Sequence, residues 1–358
     1  MSKKLVVVAG GTGGHIFPGI AVADYLKQQG WQVSWIGTPD RMEADVVPKH
    51  NIDIDFIDVK GVRGNGIKRL VKAPFMVFNA ILQARKVLKK QRPDVVLAMG
   101  GYVTGPTGIA AKSLGIPLVI HEQNAVAGMS NKLLAKCANR VLAAFPSAFA
   151  HGQAELVGNP VRQSVIDIPK RDVSSPINML VVGGSLGAQV LNQTLPEAFK
   201  VLSNTTAISV WHQTGKGHLH SVKEAYKAHG FDSNNLNVAE FIDDMDTAYA
   251  WADIVICRAG ALTVSEIAAA GKMAIFVPFP HAVDDHQTAN AQYLVKANGA
   301  LLMPQAQFNQ HSIVELLNPY LAKPILIKQM AANAQKQAIL DATVSVAAHC
   351  EQVTNKRV

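Results

Sequence analysis

Cysteine is scarce in this chain. Three thiols, Cys137, Cys257 and Cys350, stand far apart among 358 residues and are odd in number. No pair has the spacing of a metal knuckle or a disulfide framework, so they read as reduced thiols. Long apolar runs are also missing. None approaches the roughly 18 residues that a membrane-crossing helix needs, and the first one, residues 5–9, is too short for the core of a secretion signal. The expectation is a protein that stays on the cytoplasmic side. Charged residues make up only 17% of the chain against 49% hydrophobic. That excludes a disordered chain, and at about 150 residues per domain it leaves apolar material for two cores.

What is present begins with Val6-Val7-Val8-Ala9-Gly10-Gly11-Thr12-Gly13-Gly14-His15. A buried strand empties into a glycine turn, and a histidine stands where a helix should start. Glycines let the backbone approach an anion, and a helix N-terminus offers free N–H groups and partial positive charge. The alternative is a tight strand–helix connection without a ligand. The turn does not fit G-x-G-x-x-G, and no acidic residue ends the second strand at Ile36-Gly37-Thr38. Both facts disfavour a dinucleotide-dependent oxidoreductase.

The net charge is +8, which suits a nucleic acid, an anionic lipid surface or a phosphorylated substrate. One dense basic segment carries Lys68, Arg69, Leu70, Val71, Lys72, Phe75, Met76 and Phe78, and continues to Arg85, Lys86, Lys89 and Lys90. Bulky apolar groups interleaved with cations suit a helix lying on an anionic membrane. A core helix with solvated basic ends has the same pattern. No nucleic-acid module is present, and the aromatic residues are not spaced as a stacking platform.

Strand and helix patterns alternate throughout, which implies parallel sheets flanked by helices. A turn-forming Asn159-Pro160 marks a shift of organisation. A new strand then enters Gly183-Gly184-Ser185-Leu186-Gly187-Ala188, echoing the first turn in position. The reading is α/β, with two Rossmann-like domains whose parallel sheets face a central cleft, residues 1–160 and 161–340, and a helical tail 341–358 that packs back on the first. In the second half a strand over 253–258 leads to Ala261-Leu262-Thr263-Val264-Ser265-Glu266, read as a turn opening onto a helix over 267–270. Small residues there expose N–H groups to a diphosphate, and the Glu266 carboxylate can accept two hydrogen bonds from a ribose diol. Favourable charge early in a helix would explain Glu266 equally well. The stretch from Asp284 to Asn290 could reach sugar hydroxyls or simply cap a helix. Asp244-Met245-Asp246 spells a D-x-D triplet, but its place at a helix start favours capping over metal binding.

These motifs resemble, in order and over nearly the whole chain, bacterial family 28 glycosyltransferases. They are Gly10-Gly11-Thr12-Gly13-Gly14-His15 with Pro18, Met99-Gly100-Gly101-Tyr102 with Gly105-Pro106, His121-Glu122-Gln123-Asn124 and Gly158-Asn159-Pro160-Val161-Arg162. The Gly183–Ala188 run, Glu240-Phe241-Ile242-Asp243-Asp244-Met245 and the 261–266 segment complete them. The resemblance implies the GT-B architecture and an inverting, metal-independent transfer without a cofactor. N-acetylglucosamine would move from UDP-N-acetylglucosamine to the 4-hydroxyl of the muramyl sugar of lipid I. That reaction belongs to peptidoglycan synthesis, and so to cell wall biogenesis, cell shape and cell division. Another GT-B enzyme of UDP-sugars, such as a glycolipid synthase or a 2-epimerase, is the alternative.

By the same resemblance the donor meets Ile242 at the uracil and Glu266 at the ribose. Ser185, Ala261, Leu262, Thr263, Val264 and Ser265 lie at the diphosphate, with Arg162, Thr12, Gly13 and Gly14 also lining the donor site. Asn124 and Gln287 contact the N-acetylglucosamine. The acceptor falls to Gly10, Gly11, Gly13, Gly14, His15 and Tyr102. His286 stands where the family often has a glutamine, and so does Leu186, so side-chain roles at these two positions do not carry over. His15, kept neutral by the helix N-terminus, is the first candidate for general base, with Glu122 as the rival. A polyprenyl acceptor stays in the bilayer, so the basic apolar segment becomes the expected contact with the cytoplasmic face of the inner membrane. Cell-wall synthesis proteins are possible partners; nucleic acid is not expected.

Overall fold

In a computed structural model, the structure describes residues 2–59, 67–231 and 233–355, with side chains of 67–73 excepted. The chain divides into two compact units, 1–162 with 339–358, and 163–338.

The first unit is built on strands β1 (Lys4–Ala9), β2 (Gln32–Gly37), β3 (Asp53–Phe56), β4 (Val95–Gly100), β5 (Leu118–Glu122), β6 (Arg140–Ala143) and β7 (Glu155–Leu156). They form one sheet in the order β3-β2-β1-β4-β5-β6-β7, with all pairings parallel. β1 and β4 are apolar at nearly every position because helices cover both faces. Leu5, Val7 and Leu97 pack into one core and Val6, Val8 and Val96 into the other. The helix Gly13–Gln28 lies on the first face. The final helix, Ala342–Asn355, packs beside it and adds Val346, Ala347, Cys350 and Val353 to the same core. Lys3 ties that helix down through Glu351 at 3.2 Å and Asn355 at 2.9 Å.

The second unit repeats the plan. Strands β8 (Ile177–Val182), β9 (Ile208–Gln213), β10 (Leu236–Ala239), β11 (Ile254–Cys257), β12 (Met273–Phe276) and β13 (Ala300–Leu302) run parallel in the order β10-β9-β8-β11-β12-β13. In each sheet the order reverses beside the first strand, between β1 and β4 and between β8 and β11. Ligands of open α/β sheets bind at that switch point, outside the carboxyl ends of the strands. Both glycine runs lie there: 10–14 follows β1, and 183–187 follows β8.

Candidate active site

In the first unit the glycine turn is fixed from below by a residue that sequence reading missed. Glu43 is fully buried. One of its carboxylate oxygens accepts from Gly11 N at 3.0 Å, and the other accepts from Thr38 N and from Thr38 Oγ1 at 2.7 Å. Gly10 N donates to Gly100 O at 3.3 Å. The amides of Gly10 and Gly11 are therefore spent inside the protein, which corrects the expectation that the whole 10–14 run cradles an anion. The helix begins at Gly13, with Thr12 at the N-cap position. His15 and Ile16 already donate to Thr12 O, so the first-turn amides of Gly13 and Gly14 are those left pointing out of the helix end.

His15 sits half-buried in that first turn, its ring over Gly100. A β-carbon on Gly100 would lie 2.5 Å from His15 Nδ1, and the glycine's φ of +120° belongs to the left-handed region. The Gly100-Gly101 pair is thus a seat for the imidazole and for the Gly10 turn. His15 Nδ1 lies 2.8 Å from Gln123 Oε1, and Gln123 Nε2 lies 2.9 Å from His121 Nδ1. His121 Nε2 donates to Gly158 O at 2.9 Å.

The polar run that ends β5 and continues past it was expected to face a ligand. Instead His121, Glu122 and Gln123 are buried, and only Asn124 is half-exposed. Glu122 accepts from Asn124 N and Nδ2 through Oε1, and from Gly128 N and Asn131 Nδ2 at 3.0 and 2.9 Å through Oε2. Four donors occupy its lone pairs, so it clamps the loop after β5. That geometry is poor for a base. Tyr102 is well exposed in the turn after β4, and Arg162 is half-buried at the end of the unit.

In the second unit Gln213 holds the glycine turn. Its Oε1 accepts from Gly184 N at 3.0 Å, and its Nε2 donates to Gly184 O at 2.9 Å and Glu240 O at 3.0 Å. Gly187 N closes the turn on Gly184 O at 2.9 Å, leaving Ser185 and Leu186 exposed at its tip. The segment from Ala261 is helical from its first residue, the helix being Ala261–Ala270 with Gly260 at the N-cap position. The sequence reading placed this helix six residues too late, because a helix start without a side-chain cap leaves only a glycine as its signal. Leu262 and Thr263 lie in its first turn, where N–H groups lack intrahelical acceptors. Ser265 Oγ turns back to Ala261 O at 3.1 Å. Glu266 is buried and accepts from Tyr249 Oη at 3.1 Å. Ile242 is buried beside an exposed Phe241.

Arg258, also missed, donates to Val277 O, Pro278 O and Gln305 Oε1, and stands 5.5 Å from the Phe279 ring. It shapes the loop in which Gln287 Oε1 accepts from Phe279 N at 2.9 Å. The Gln287 Nε2 amide NH2 is then the polar end left over. His286 Nδ1 is turned to Val283 O at 2.7 Å. Asp244 caps the helix Met245–Trp251, accepting from Thr247 N at 3.3 Å and Thr247 Oγ1 at 2.6 Å. Among the described residues no group of three or more His, Cys, Asp or Glu is placed to hold a metal ion.

The basic segment falls in the helix Ile67–Gln91. The side chains of Lys68, Arg69, Leu70, Val71 and Lys72 lie outside the described residues. Further along, the helix buries Ala80, Ala84 and Leu88, and exposes Phe75 (79%), Phe78 and Leu82 at helical spacing. Met76 is half-buried. The helix Thr104–Ser113 packs against it and exposes Ile109, and the helix Met129–Leu134 exposes Met129 and Leu133. Sequence reading missed these three, whose only signal is bulky apolar residues beside lysines such as Lys132. No described helix is long and apolar enough to cross a membrane.

The glycosyltransferase family 28 N-terminal domain matches residues 5–143, and the family's C-terminal domain matches 178–346. The UDP-N-acetylglucosamine–N-acetylmuramyl-(pentapeptide) pyrophosphoryl-undecaprenol N-acetylglucosamine transferase of Pseudoalteromonas translucida is 85% identical over 100% of both chains. The crystal structure of MurG from Acinetobacter baumannii superposes with a TM-score of 0.84 at 41% identity, covering 98% of this chain and 99% of that one. A UDP-N-acetylglucosamine 2-epimerase superposes at 0.68 with 16% identity, covering 97% and 95%, which is a likeness of fold alone. With both domains matched, and a relative this similar along its whole length, the chain belongs to glycosyltransferase family 28 and to its MurG branch.

Proposed function

We propose that this protein transfers N-acetylglucosamine from UDP-N-acetylglucosamine to the 4-hydroxyl of the muramyl sugar of lipid I, giving lipid II for peptidoglycan. The observation that carries this reading is the full-length 85% identity to a transferase of that name. The 2-epimerase alternative has only a shared fold in its favour.

The chemistry is a single inverting displacement. The acceptor's 4-hydroxyl oxygen forms a bond to the anomeric carbon as the bond from that carbon to the diphosphate oxygen breaks. The electron pair leaves with UDP, and the hydroxyl proton passes to His15 Nε2. The transition state is oxocarbenium-like, as in glycoside hydrolysis. Negative charge grows on the leaving diphosphate, where the first turn at Leu262 and Thr263, the Ser185 turn and Arg162 stabilise it. Glu266 holds the ribose, Ile242 meets the uracil, and Gln287 and Asn124 contact the sugar. The Gly13 and Gly14 amides and Tyr102 take the acceptor. His15 is the base in preference to Glu122, since Glu122 already accepts four hydrogen bonds.

The face formed by Phe75, Phe78 and Leu82 brings the enzyme to an anionic bilayer, with Ile109, Met129 and Leu133 as further contacts. On this reading it works peripherally, on the inner membrane's cytoplasmic face. The test is incubation of labelled UDP-N-acetylglucosamine with a lipid I analogue and, separately, with buffer. Label appearing only in the lipid-linked product supports the transferase. Label converted to another UDP-sugar without acceptor would overturn it. The His15→Ala variant should lose about 100-fold or more in turnover while donor affinity holds.

A further inference from the structure

Three side chains behind the turn after β1 form a chain of hydrogen bonds whose direction can be worked out from one end. His121 Nε2 faces the Gly158 carbonyl at 2.9 Å, and a carbonyl oxygen only accepts, so Nε2 carries the proton. His121 is fully buried, and burial drops its pKa to about 4 despite the partly opposing pull of the Gly158 carbonyl and of Glu122. The ring is therefore neutral at working pH, and its Nδ1 is a bare lone pair. Gln123 Nε2 stands 2.9 Å from that lone pair and 3.2 Å from the His121 carbonyl, two acceptors that only the amide NH2 can satisfy. A flipped amide would set Oε1 against both. Gln123 Oε1 is thus turned to His15, and at 2.8 Å it requires a proton on His15 Nδ1.

We propose that Gln123, oriented by His121, is a positioning residue that holds His15 as the Nδ1–H tautomer with the Nε2 lone pair facing outward. This rests on reading His15 as the base. The arrangement works like the carboxylate that orients a catalytic histidine, but a neutral amide does the work. A histidine locked in the opposite tautomer would present an N–H to the attacking hydroxyl and could not take its proton. The lock also has no water-exposed member on its inner side, since His121 and Gln123 are both buried.

The test is long-range 1H–15N correlation NMR of the full chain with 15N-labelled histidine, at a pH where the imidazole is neutral, with His15→Ala identifying the signal. The expected spectrum shows a protonated Nδ1 and an unprotonated Nε2. In Gln123→Met, which keeps length but has no donor and only a weak thioether acceptor, the His15 signals move toward the other tautomer. Turnover then falls roughly 10–100-fold with donor affinity unchanged. Should that variant not fold, Gln123→Glu retains an acceptor toward His15 and keeps the Nδ1–H signature. A wild-type spectrum with the proton on Nε2, or a Gln123→Met spectrum identical to wild type, overturns the lock even if His15→Ala is inactive. Should the spectra behave as expected while His15→Ala turns over normally, the lock stands and the base assignment fails.

Discussion

The His15 imidazole rests on the bare α-carbon of Gly100: a β-carbon there would come 2.5 Å from Nδ1 and 2.7 Å from Cε1. Two motifs 85 residues apart in sequence are thus one fitted pair. Gly100→Ala would have to push the ring off its seat and also hold alanine at a φ of +120°. The expected outcome is a stability loss of roughly 1–3 kcal/mol. With the ring displaced, turnover drops about 10–100-fold. Donor affinity, measured by titration calorimetry with UDP-N-acetylglucosamine, stays near wild type, because the donor contacts proposed on the second unit are untouched. Full activity in Gly100→Ala would mean the ring's placement is not needed.

In the second unit the corresponding device is Gln213, buried and bonded to both sides of Gly184. Gln213→Leu keeps similar bulk but strands the Gly184 amide, while Gly184 O keeps Gly187 N and Glu240 O keeps Gly215 N. The cost is about 1–3 kcal/mol for the donor left without a partner. The turn carrying Ser185 also loosens. Donor dissociation constant should rise about 10-fold, corresponding to roughly 1.4 kcal/mol. Turnover at saturating donor changes little. A variant that binds donor as wild type does would remove Ser185's turn from the donor site.

Much of this was legible before the structure. Glycine runs after apolar strands mark switch-point turns, and Asp244 reads as a cap from its place before a helix. What was hidden are the groups beneath the turns. Glu43 reaches Gly11 across 32 residues, and Gln213 reaches Gly184 across 29. Such hydrogen bonds leave no periodicity or spacing in the sequence. The run His121-Glu122-Gln123-Asn124 misled for a related reason. Polar residues at a strand's end suggest a ligand, yet here three of them satisfy buried protein groups and only the fourth faces out. The helix start at Ala261 was missed because Gly260 offers no side-chain cap.

The exposed face of the helix Ile67–Gln91 makes a separate prediction. Phe75 and Phe78 each leave much of their ring in water, a cost that no described residue of this unit offsets. The double change Phe75→Ser, Phe78→Ser should lower binding to vesicles containing anionic lipid about 10-fold or more in a flotation assay, from roughly 1–2 kcal/mol of apolar burial lost per ring. Folding stability should be nearly unchanged, since neither ring contributes to the core. Unaltered flotation would remove this face from the membrane contact.

Two buried histidines make stability depend on pH. Burial depresses His121 from the ordinary 6.5 to about 4 in the first unit. In the second unit burial takes His212 to about 3, where it bridges Tyr226 Oη and Asn192 Oδ1. Below about pH 6.5 the unfolded chain takes up a proton at each site while the native chain does not, so the unfolded state gains with each step down in pH. Stability from these sites is full above pH 6.5 and is lost progressively as pH falls toward the native values, by roughly 3 kcal/mol for His121 over that window. Thermal melts from pH 7.5 to 4 should show the midpoint falling. His212→Gln, which cannot titrate, should start lower at neutral pH but fall less steeply where the second unit's unfolding is followed. Parallel curves for wild type and variant would show that His212 takes no part in the acid limb.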